Sequence, residues 1–397
     1  MTAGLGRSVQ PLAAWVSAKP ARRPGHGAVA GRELVLHVFP SFGIGGVPLR
    51  MVRVINHLGA RLRHSIIALD NDFAAAEGLA ANLDLSLISI DPRRRGLLRE
   101  LVGNSRALHR LRPDFLVTYN WGAIEWAMAN RLLPVARQLH IEAGFGKEEA
   151  DRQIRRRVLF RRWALARAKV VVPSRKLEAL ARSVWKLPAE RILFVPNGVD
   201  IGRFANPVRD AIPGYVRAKG EVVVGTVAPL RPEKNVGRLV RAFADLAAAP
   251  PVRLVIAGDG VERAALVRLA AELGIAERVV FTGRVAPEAV LGTFDIFALS
   301  SDTEQMPNAL LEAMAAGRAV AAVDVGDVKS ILSPENRELV VPRDEAGAFA
   351  AAIAGLVRDP AKRAELGLRN RQRVSAAFAQ GEMFAAYARI FGIANAC

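Results

Sequence analysis

Ser300-Ser301-Asp302-Thr303-Glu304-Gln305-Met306-Pro307-Asn308-Ala309-Leu310-Leu311-Glu312-Ala313-Met314-Ala315-Ala316-Gly317 is the stretch on which the reading of this chain turns. The apolar run Asp295 to Leu299 predicts a strand entering it. The polar residues Ser300 to Gln305 predict a loop. Pro307 suits a first helical position, because its fixed φ is helical and its missing N–H is not needed there. Leu310, Leu311, Met314 and Ala315 then form an apolar helical face, and Gly317 stops the helix. A strand, a polar loop and a helix follow one another. The free N–H groups and positive dipole end of such a helix attract an anion.

Glu304 falls in that loop and Glu312 inside that helix. Two carboxylates beside an anion site make sense when the ligand also carries hydroxyls, because a carboxylate accepts strong charge-assisted hydrogen bonds. A nucleotide-sugar supplies both a diphosphate and hydroxyls. The plainer alternative is a solvated loop Glu and a surface helix Glu.

The wider composition sets bounds. A chain of 397 residues implies two or three domains. Its 51% hydrophobic content suffices for sizeable cores. Lys plus Arg exceed Asp plus Glu by 56 − 38 = 18. That excess favours anionic partners, namely nucleic acid, an acidic membrane surface or phosphorylated substrates. An Arg- and Ala-rich composition also arises from genome base bias. The single cysteine, Cys397, excludes an internal disulfide and a Cys-cluster metal site. A reducing, cytoplasmic setting fits. No apolar run reaches the ~18 residues of a membrane span. Residues 1–31, rich in Ala, Pro, Gly and Arg, read as a disordered extension. Pro11 to Ala18 resembles a short signal core, but Arg7 is the only charge before it and Pro11 interrupts it, which disfavours export.

In the N-terminal half, Glu33 to Pro40 predicts a buried strand, followed by Ser41-Phe42-Gly43-Ile44-Gly45-Gly46-Val47 and a helix through Leu58. Strand, glycine-rich turn and helix form a phosphate-cradling unit. Pro48 stands where a dinucleotide fingerprint has its third glycine, which argues against that fingerprint, although Asp70 does close the next strand, His64 to Leu69. Further strands are expected at Leu85–Ile90, Phe115–Tyr119, Arg137–Ile141 and Lys169–Val172. Alternation with helices implies a parallel sheet covered on both faces, whose ligands bind beyond the C-terminal strand ends. His140 and Glu142 lie at one such end; the plainer reading of His140 is a hydrogen-bonded core histidine. Tyr119-Asn120-Trp121-Gly122 ends another.

Arg152 to Lys169 is the most basic segment, with Arg152, Arg155, Arg156, Arg157, Arg161, Arg162, Arg167 and Lys169 interleaved with Ile154, Val158, Leu159, Trp163 and Leu165. It predicts a helix with a basic face and an apolar stripe, suited either to anionic lipid headgroups or to core packing with a solvated face. Arg93, Arg94, Arg95, Arg99 and Arg106 extend the basic surface. No aromatic RNA-binding motif or zinc-finger spacing accompanies these charges, so nucleic acid is not expected. Val195-Pro196-Asn197-Gly198-Val199-Asp200 closes this half, and Ile201 to Gly220 reads as a connection.

The architecture then restarts. Glu221–Val227 predicts a strand, followed by Ala228-Pro229-Leu230-Arg231-Pro232-Glu233-Lys234-Asn235 and a helix through Leu246. Lys234 at a helix start puts a cation where a phosphate would sit. Val252–Ala257, Arg278–Thr282, Phe294–Leu299, Ala319–Val323 and Leu339–Val341 read as the remaining strands, with Gly258-Asp259-Gly260, Gly283 and Asp324-Val325-Gly326-Asp327 at their ends.

These residues resemble the retaining glycosyltransferases of family 4, the group 1 glycosyltransferases. Glu304 and Glu312 match the family's pair of Glu separated by seven residues. Pro232-Glu233-Lys234-Asn235 resembles its donor-phosphate motif, Asn197-Gly198-Val199-Asp200 its interdomain marker and Gly45-Gly46 its N-terminal glycine loop. His140 sits where the family places its active-site histidine. Pro229 occupies the place of the family's usual Arg, five residues before the lysine. The resemblance runs from about Leu34 to the last helix.

The resemblance implies an α/β fold of the GT-B type, two facing Rossmann-like doubly wound domains with a cleft between them. Residues 32–205 would form an acceptor domain and 206–380 a nucleotide-sugar donor domain. Residues 381–397 would form a helix crossing back to the first. Glu312 would bind ribose hydroxyls and Glu304 sugar hydroxyls. Lys234, Arg231 and the backbone N–H groups near Met306 to Ala309, on the segment Gln305-Met306-Pro307-Asn308-Ala309, would hold the departing diphosphate. Gly45 and Gly46 would let the N-terminal loop approach it, and His140 would lie near the transferred sugar. No metal and no cofactor are expected, since fixed cations and dipoles do a metal's work. The implied partners are a nucleotide diphosphate-sugar and a lipid-linked or saccharide acceptor for surface polysaccharide or glycolipid. The implied location is the cytoplasm, with peripheral attachment to the cytoplasmic face of the inner membrane. The alternatives are a nucleotide-sugar epimerase on the same fold and a non-catalytic sugar- or lipid-binding homologue.

Overall fold

A computed structural model describes residues 10–11, 31–91, 96–145, 147–149, 152–205, 212, 215–246 and 251–393. The expected N-terminal extension falls outside these except for Gln10, Pro11 and Gly31. So do Arg93, Arg94, Arg95, Cys397 and most of the expected connection between Asn206 and Gly214.

Two parallel sheets carry the fold. The first contains β1 (Gln10–Pro11), β2 (Leu34–Phe39), β3 (Arg63–Ala68), β4 (Leu85–Ser89), β5 (Phe115–Tyr119), β6 (Arg137–Ile141), β7 (Lys169–Val172) and β8 (Ile192–Phe194). Their order is β1-β4-β3-β2-β5-β6-β7-β8. The second contains β9 (Val222–Val227), β10 (Val252–Ala257), β11 (Val279–Gly283), β12 (Ile296–Leu299), β13 (Ala319–Val323) and β14 (Val340–Val341), in the order β11-β10-β9-β12-β13-β14. The central strands are apolar on both faces because helices cover both: all of β5, β12 and β13 is buried.

The chain runs outward from β2 to β4, then returns to build from β5 in the other direction. The second sheet does the same around β9 and β12. Each sheet therefore has a topological switch point, where the loops leaving two adjacent strands diverge and a crevice opens. In the first sheet it lies between the loops after β2 and β5, which touch: a Cβ on Gly122 would overlap Pro40. In the second it lies between the loops after β9 and β12.

The described chain forms two compact units. One holds the residues up to Phe145, Gln153–Val195 and the segment from Phe384; the other holds Gly146–Arg152 and Pro196–Met383. The helix Gln380–Ile390 thus begins in the second unit and ends in the first, where Phe384 stacks on His57 at 4.4 Å and Phe391 meets Phe115 edge-on at 5.1 Å.

Three local readings need correction. Pro307 is the N-cap, with ψ of 120°, and the helix starts at Asn308. The helix expected to run through Leu246 ends at Ala244. The basic segment is helical only from Arg155 to Leu165, and Arg161 points inward rather than joining its basic face.

Candidate functional site

The loop after β9 is pinned from below. Leu230 N donates to Asp259 O and Glu262 N to Leu230 O, both at 3.0 Å. Gly258, at φ +144°, and Gly260 lie so close to the Ala228 and Leu230 carbonyls that a Cβ at either would overlap them. A single turn, Pro232–Lys234, then leads to Asn235, held at φ 42°. The Asn235 side chain accepts from Arg238 N at 3.2 Å and caps the helix Val236–Ala244. This geometry presents Lys234 at the helix entrance.

The loop after β12 is laced to the same segment. Asp302 N donates to Glu233 O at 2.9 Å, and Ser300 Oγ to Lys234 O at 3.1 Å. Arg238 donates from one nitrogen to Ser300 O at 2.6 Å and from another to Asp302 Oδ1 at 2.8 Å. Asn235 Nδ2 also reaches the Asp302 carboxylate, at 3.1 Å. Above this lattice Lys234 Nζ donates to Glu304 Oε1 at 2.6 Å, and Ser301 Oγ donates to the same oxygen at 2.8 Å. The Lys234 and Glu304 side chains keep 21% and 11% of their exposure, enough to meet a ligand.

The helix Asn308–Ala315 continues from that loop. Asn197 anchors its start, donating from Nδ2 to Met306 O and to Asn308 Oδ1, both at 2.9 Å. Glu312 lies one turn into the helix and is nearly buried. Gln305 and Ala309 are half-buried and Met306 and Pro307 buried. The third side of the loop is Gly326, at φ +53°, packed on the Glu304 carbonyl, with Asp327 N donating to Gln305 O at 3.1 Å. Arg231 and Pro229 are exposed on the first loop. The second unit thus brings Lys234, Glu304 and a helix N-terminus to one switch point, an arrangement able to hold an anion next to hydroxyls.

Gly45 and Gly46 open the helix Gly46–Leu58 at the first sheet's switch point. Gly45 has φ −168° and the nearest atom to a Cβ there would be 3.8 Å away, so the fold itself does not demand a glycine. His140 lies in the same unit and is fully buried. Its Nδ1 is 2.9 Å from Thr118 Oγ1, and its Nε2 is 3.7 Å from Glu142 Oε2. The same Glu142 oxygen is 3.4 Å from Arg161 Nε, and both side chains are buried. The Arg161 guanidinium sits among the rings of Trp121, Phe145 and Trp185 at 5.0–5.1 Å. Gln153 Oε1 accepts from Arg161 at 3.1 Å and from Trp185 Nε1 at 3.2 Å. The outer face of this helix is left with Arg155, Arg156, Leu159, Arg162 and Trp163; Leu159 is 63% and Trp163 40% exposed.

Sequence reasoning missed two features. One is the Asn235–Arg238–Asp302 lattice, for which the only signal was polar residues flanking two strand ends. The other is a buried chain in which Tyr119 Oη lies 2.8 Å from His37 Nδ1, and His37 Nε2 lies 3.1 Å from His64 Nδ1. Burial, reinforced by the neighbouring ring, lowers the pKa of His37 well below the ordinary histidine value. Burial lowers that of His64 to about 4, so both rings are neutral at pH 7.

Known proteins resemble this chain in sequence and in fold. The family model "Glycosyltransferase Family 4" matches residues 44–203, and "Glycosyl transferases group 1" matches 209–373. The chain is 34% identical over 192 residues to a D-inositol 3-phosphate glycosyltransferase of Nocardia farcinica, covering 45% of this chain and 43% of that one. It is 36% identical over 156 residues to a GDP-mannose-dependent alpha-mannosyltransferase of Mycobacterium tuberculosis, covering 38% of each. The matched stretches thus span less than half the length of either relative. The structure of HepE from Anabaena in complex with UDP-glucose superposes with a TM-score of 0.76, covering 91% of this chain and all of that one at 18% identity.

Proposed function

The chain belongs to the group 1 glycosyltransferases and has their GT-B fold, and from that premise we propose that it transfers a sugar from a nucleotide diphosphate-sugar to a lipid-linked or saccharide acceptor. The observation that carries this reading is the 2.6 Å pair of Lys234 and Glu304 at the second sheet's switch point. A sugar diphosphate offers phosphate oxygens to the ammonium and hydroxyls to the carboxylate. Lys234, aided by Arg231 and the N–H groups at the start of the helix Asn308–Ala315, would stabilise charge on the departing diphosphate. Glu304 would hold the transferred sugar and Glu312 the ribose. The bond between the anomeric carbon and the diphosphate oxygen breaks, the acceptor oxygen bonds that carbon on the same face, and the acceptor proton leaves on the diphosphate. No metal is needed in this scheme.

A lipid-linked acceptor agrees with the outer face of the helix Arg155–Leu165, where arginines flank exposed Leu159 and Trp163. No described helix is long and apolar enough to cross a membrane. We therefore propose attachment by this face, on the cytoplasmic side of the inner membrane, in the synthesis of surface polysaccharide or glycolipid. Exposed Pro229, in place of an arginine, favours one second reading, a homologue that binds donor without turning it over.

A thermal-shift screen of nucleotide diphosphate-sugars tests the proposal, since a ligand that binds the folded state raises its apparent stability. The matching donor should raise Tm by several degrees and release nucleoside diphosphate when acceptor is added. Tight binding without release under any acceptor would support the second reading. No shift with any donor would sink both.

A further inference from the structure

We infer that Arg238 is a positioning residue that sets the separation of Lys234 and Glu304; the inference rests on the donor-site reading above. The two residues sit on loops from different strands, and the sheet does little to align them. β12 pairs with β9 only through Ile296↔Val224 and Phe297↔Gly225. That ladder stops two residues short of the end of β12, and the loops lie beyond it. Where the ladder ends, Arg238 begins.

Arg238 stands one helical turn past Lys234, with 15% of its side chain exposed. Its guanidinium grips the β12 loop at two points, Ser300 O at 2.6 Å and Asp302 Oδ1 at 2.8 Å. Ser301 lies between those points and donates to Glu304 Oε1. Holding the Ser300 carbonyl on one side and the Asp302 carboxylate on the other therefore constrains Ser301, whose hydroxyl orients Glu304. Asn235 Nδ2 also reaches both oxygens of the Asp302 carboxylate, at 3.1 and 3.2 Å, so Asp302 is tied to the helix start by two side chains. Arginine suits the task because its planar fork reaches a carbonyl and a carboxylate together; lysine brings the charge without the fork. A pair that must straddle one sugar diphosphate is sensitive to spacing, as a misplacement near 1 Å can cost about 10²-fold in rate.

The test uses full-length protein carrying Arg238→Lys, Arg238→Ala or Asp302→Asn, each also made with Glu304→Ala. Release of nucleoside diphosphate gives the rate, calorimetry with UDP and GDP counts binding-competent sites, and Tm reports the fold. Per competent site, Arg238→Lys should lower kcat about 10- to 100-fold in the otherwise native protein but less than about 3-fold in the Glu304→Ala background, because a residue acting through Glu304 has nothing left to position. Equal losses in both backgrounds would overturn the inference and leave the donor site standing. So would a rate loss matched by lost binding sites or a collapsed Tm, which would make Arg238 a support of the fold alone. If Glu304→Ala itself turned over at the native rate, the donor reading would fall and this inference with it. Should Arg238→Ala fail to fold, Arg238→Lys and Asp302→Asn carry the comparison.

Discussion

Lys234 Nζ donates to Glu304 Oε1 across 2.6 Å, joining the loop that leaves β9 to the loop that leaves β12. The cation and the carboxylate that we propose hold a sugar diphosphate thus pair with each other in the free protein, and a donor bound as proposed would come between them.

Removal of either partner is expected to abolish transfer while sparing the fold. Lys234→Ala and Glu304→Ala should each reduce kcat by about 10²–10³-fold, the usual loss when a fixed charge at a reacting centre is deleted. Their Tm should stay within a few degrees of native, because a partly exposed ion pair contributes little to stability. Initial rates and calorimetry check this. Native rates in both variants would refute the assignment.

Gly326→Ala should damage the site from behind. The position has φ +53°, and a new Cβ would overlap the Glu304 carbonyl, so the loop must move. We expect turnover to fall at least about 10-fold, with a stability loss of about 1–3 kcal/mol from the strained backbone. Gly347→Ala is the control: it lies in the helix Ala346–Arg358 with open space around it and should gain about 0.5–1 kcal/mol. Equal behaviour of the two would count against the packing argument.

Arg161 should be costly to remove and cheap to replace together with its partner. Arg161→Met strands the buried Glu142 carboxylate, for an expected loss of about 3–5 kcal/mol. Arg161→Met combined with Glu142→Leu should recover most of it, because the apolar pair escapes the desolvation cost. Urea unfolding followed by tryptophan fluorescence is the natural measurement, as Trp121 and Trp185 flank the guanidinium. A double variant no better than the single would contradict the prediction.

The buried histidines predict acid sensitivity. Their folded pKa values lie below the unfolded value of 6.5, so the unfolded chain binds more protons as pH falls. Their contribution is fully present above pH 6.5 and is lost progressively on acidification towards pH 4, where His64 itself titrates. For His64 alone the full loss is on the order of 3 kcal/mol. Urea midpoints between pH 7 and 5 should fall, and should fall less in a His64→Gln variant. An identical slope in the variant would exclude His64 as a cause.

Sedimentation with vesicles tests the basic helix. The protein should bind anionic vesicles at low salt, release at high salt as screening shortens the field, and ignore neutral vesicles. Leu159→Ser with Trp163→Ser should weaken binding several-fold without altering the charge. Equal binding to neutral vesicles, or none to either, would remove this helix from the functional account.

Much of the architecture was legible because parallel strands are apolar runs ended by glycine or charge. Phe115–Tyr119, Arg137–Ile141, Lys169–Val172, Val252–Ala257 and Ala319–Val323 could be bounded to the residue. Ile192–Phe194 escaped because three residues establish no period. The places of Lys234 and Glu304 in the fold were legible because loop sequence is local, each residue standing beside a strand end or a helix start. Arg161 and Arg238 were not. An arginine's direction depends on which partner lies across the fold, here Glu142 nineteen positions away and Asp302 sixty-four positions away, and periodicity assigns such residues to solvent. The tyrosine–histidine chain is hidden for the same reason, since three separate strands supply it.

The first unit is discontinuous, and this orders events during synthesis. Phe384 and Phe391, which cover His57 and Phe115, leave the ribosome only after every residue of the second unit has emerged. Until then His57 and Phe115 lack these ring partners, and another 188 residues, Pro196 to Met383, are made before the helix that supplies them. A chain halted anywhere in that interval would lack the two rings that pack on His57 and Phe115, so the first unit is completed only by the last helix to be made.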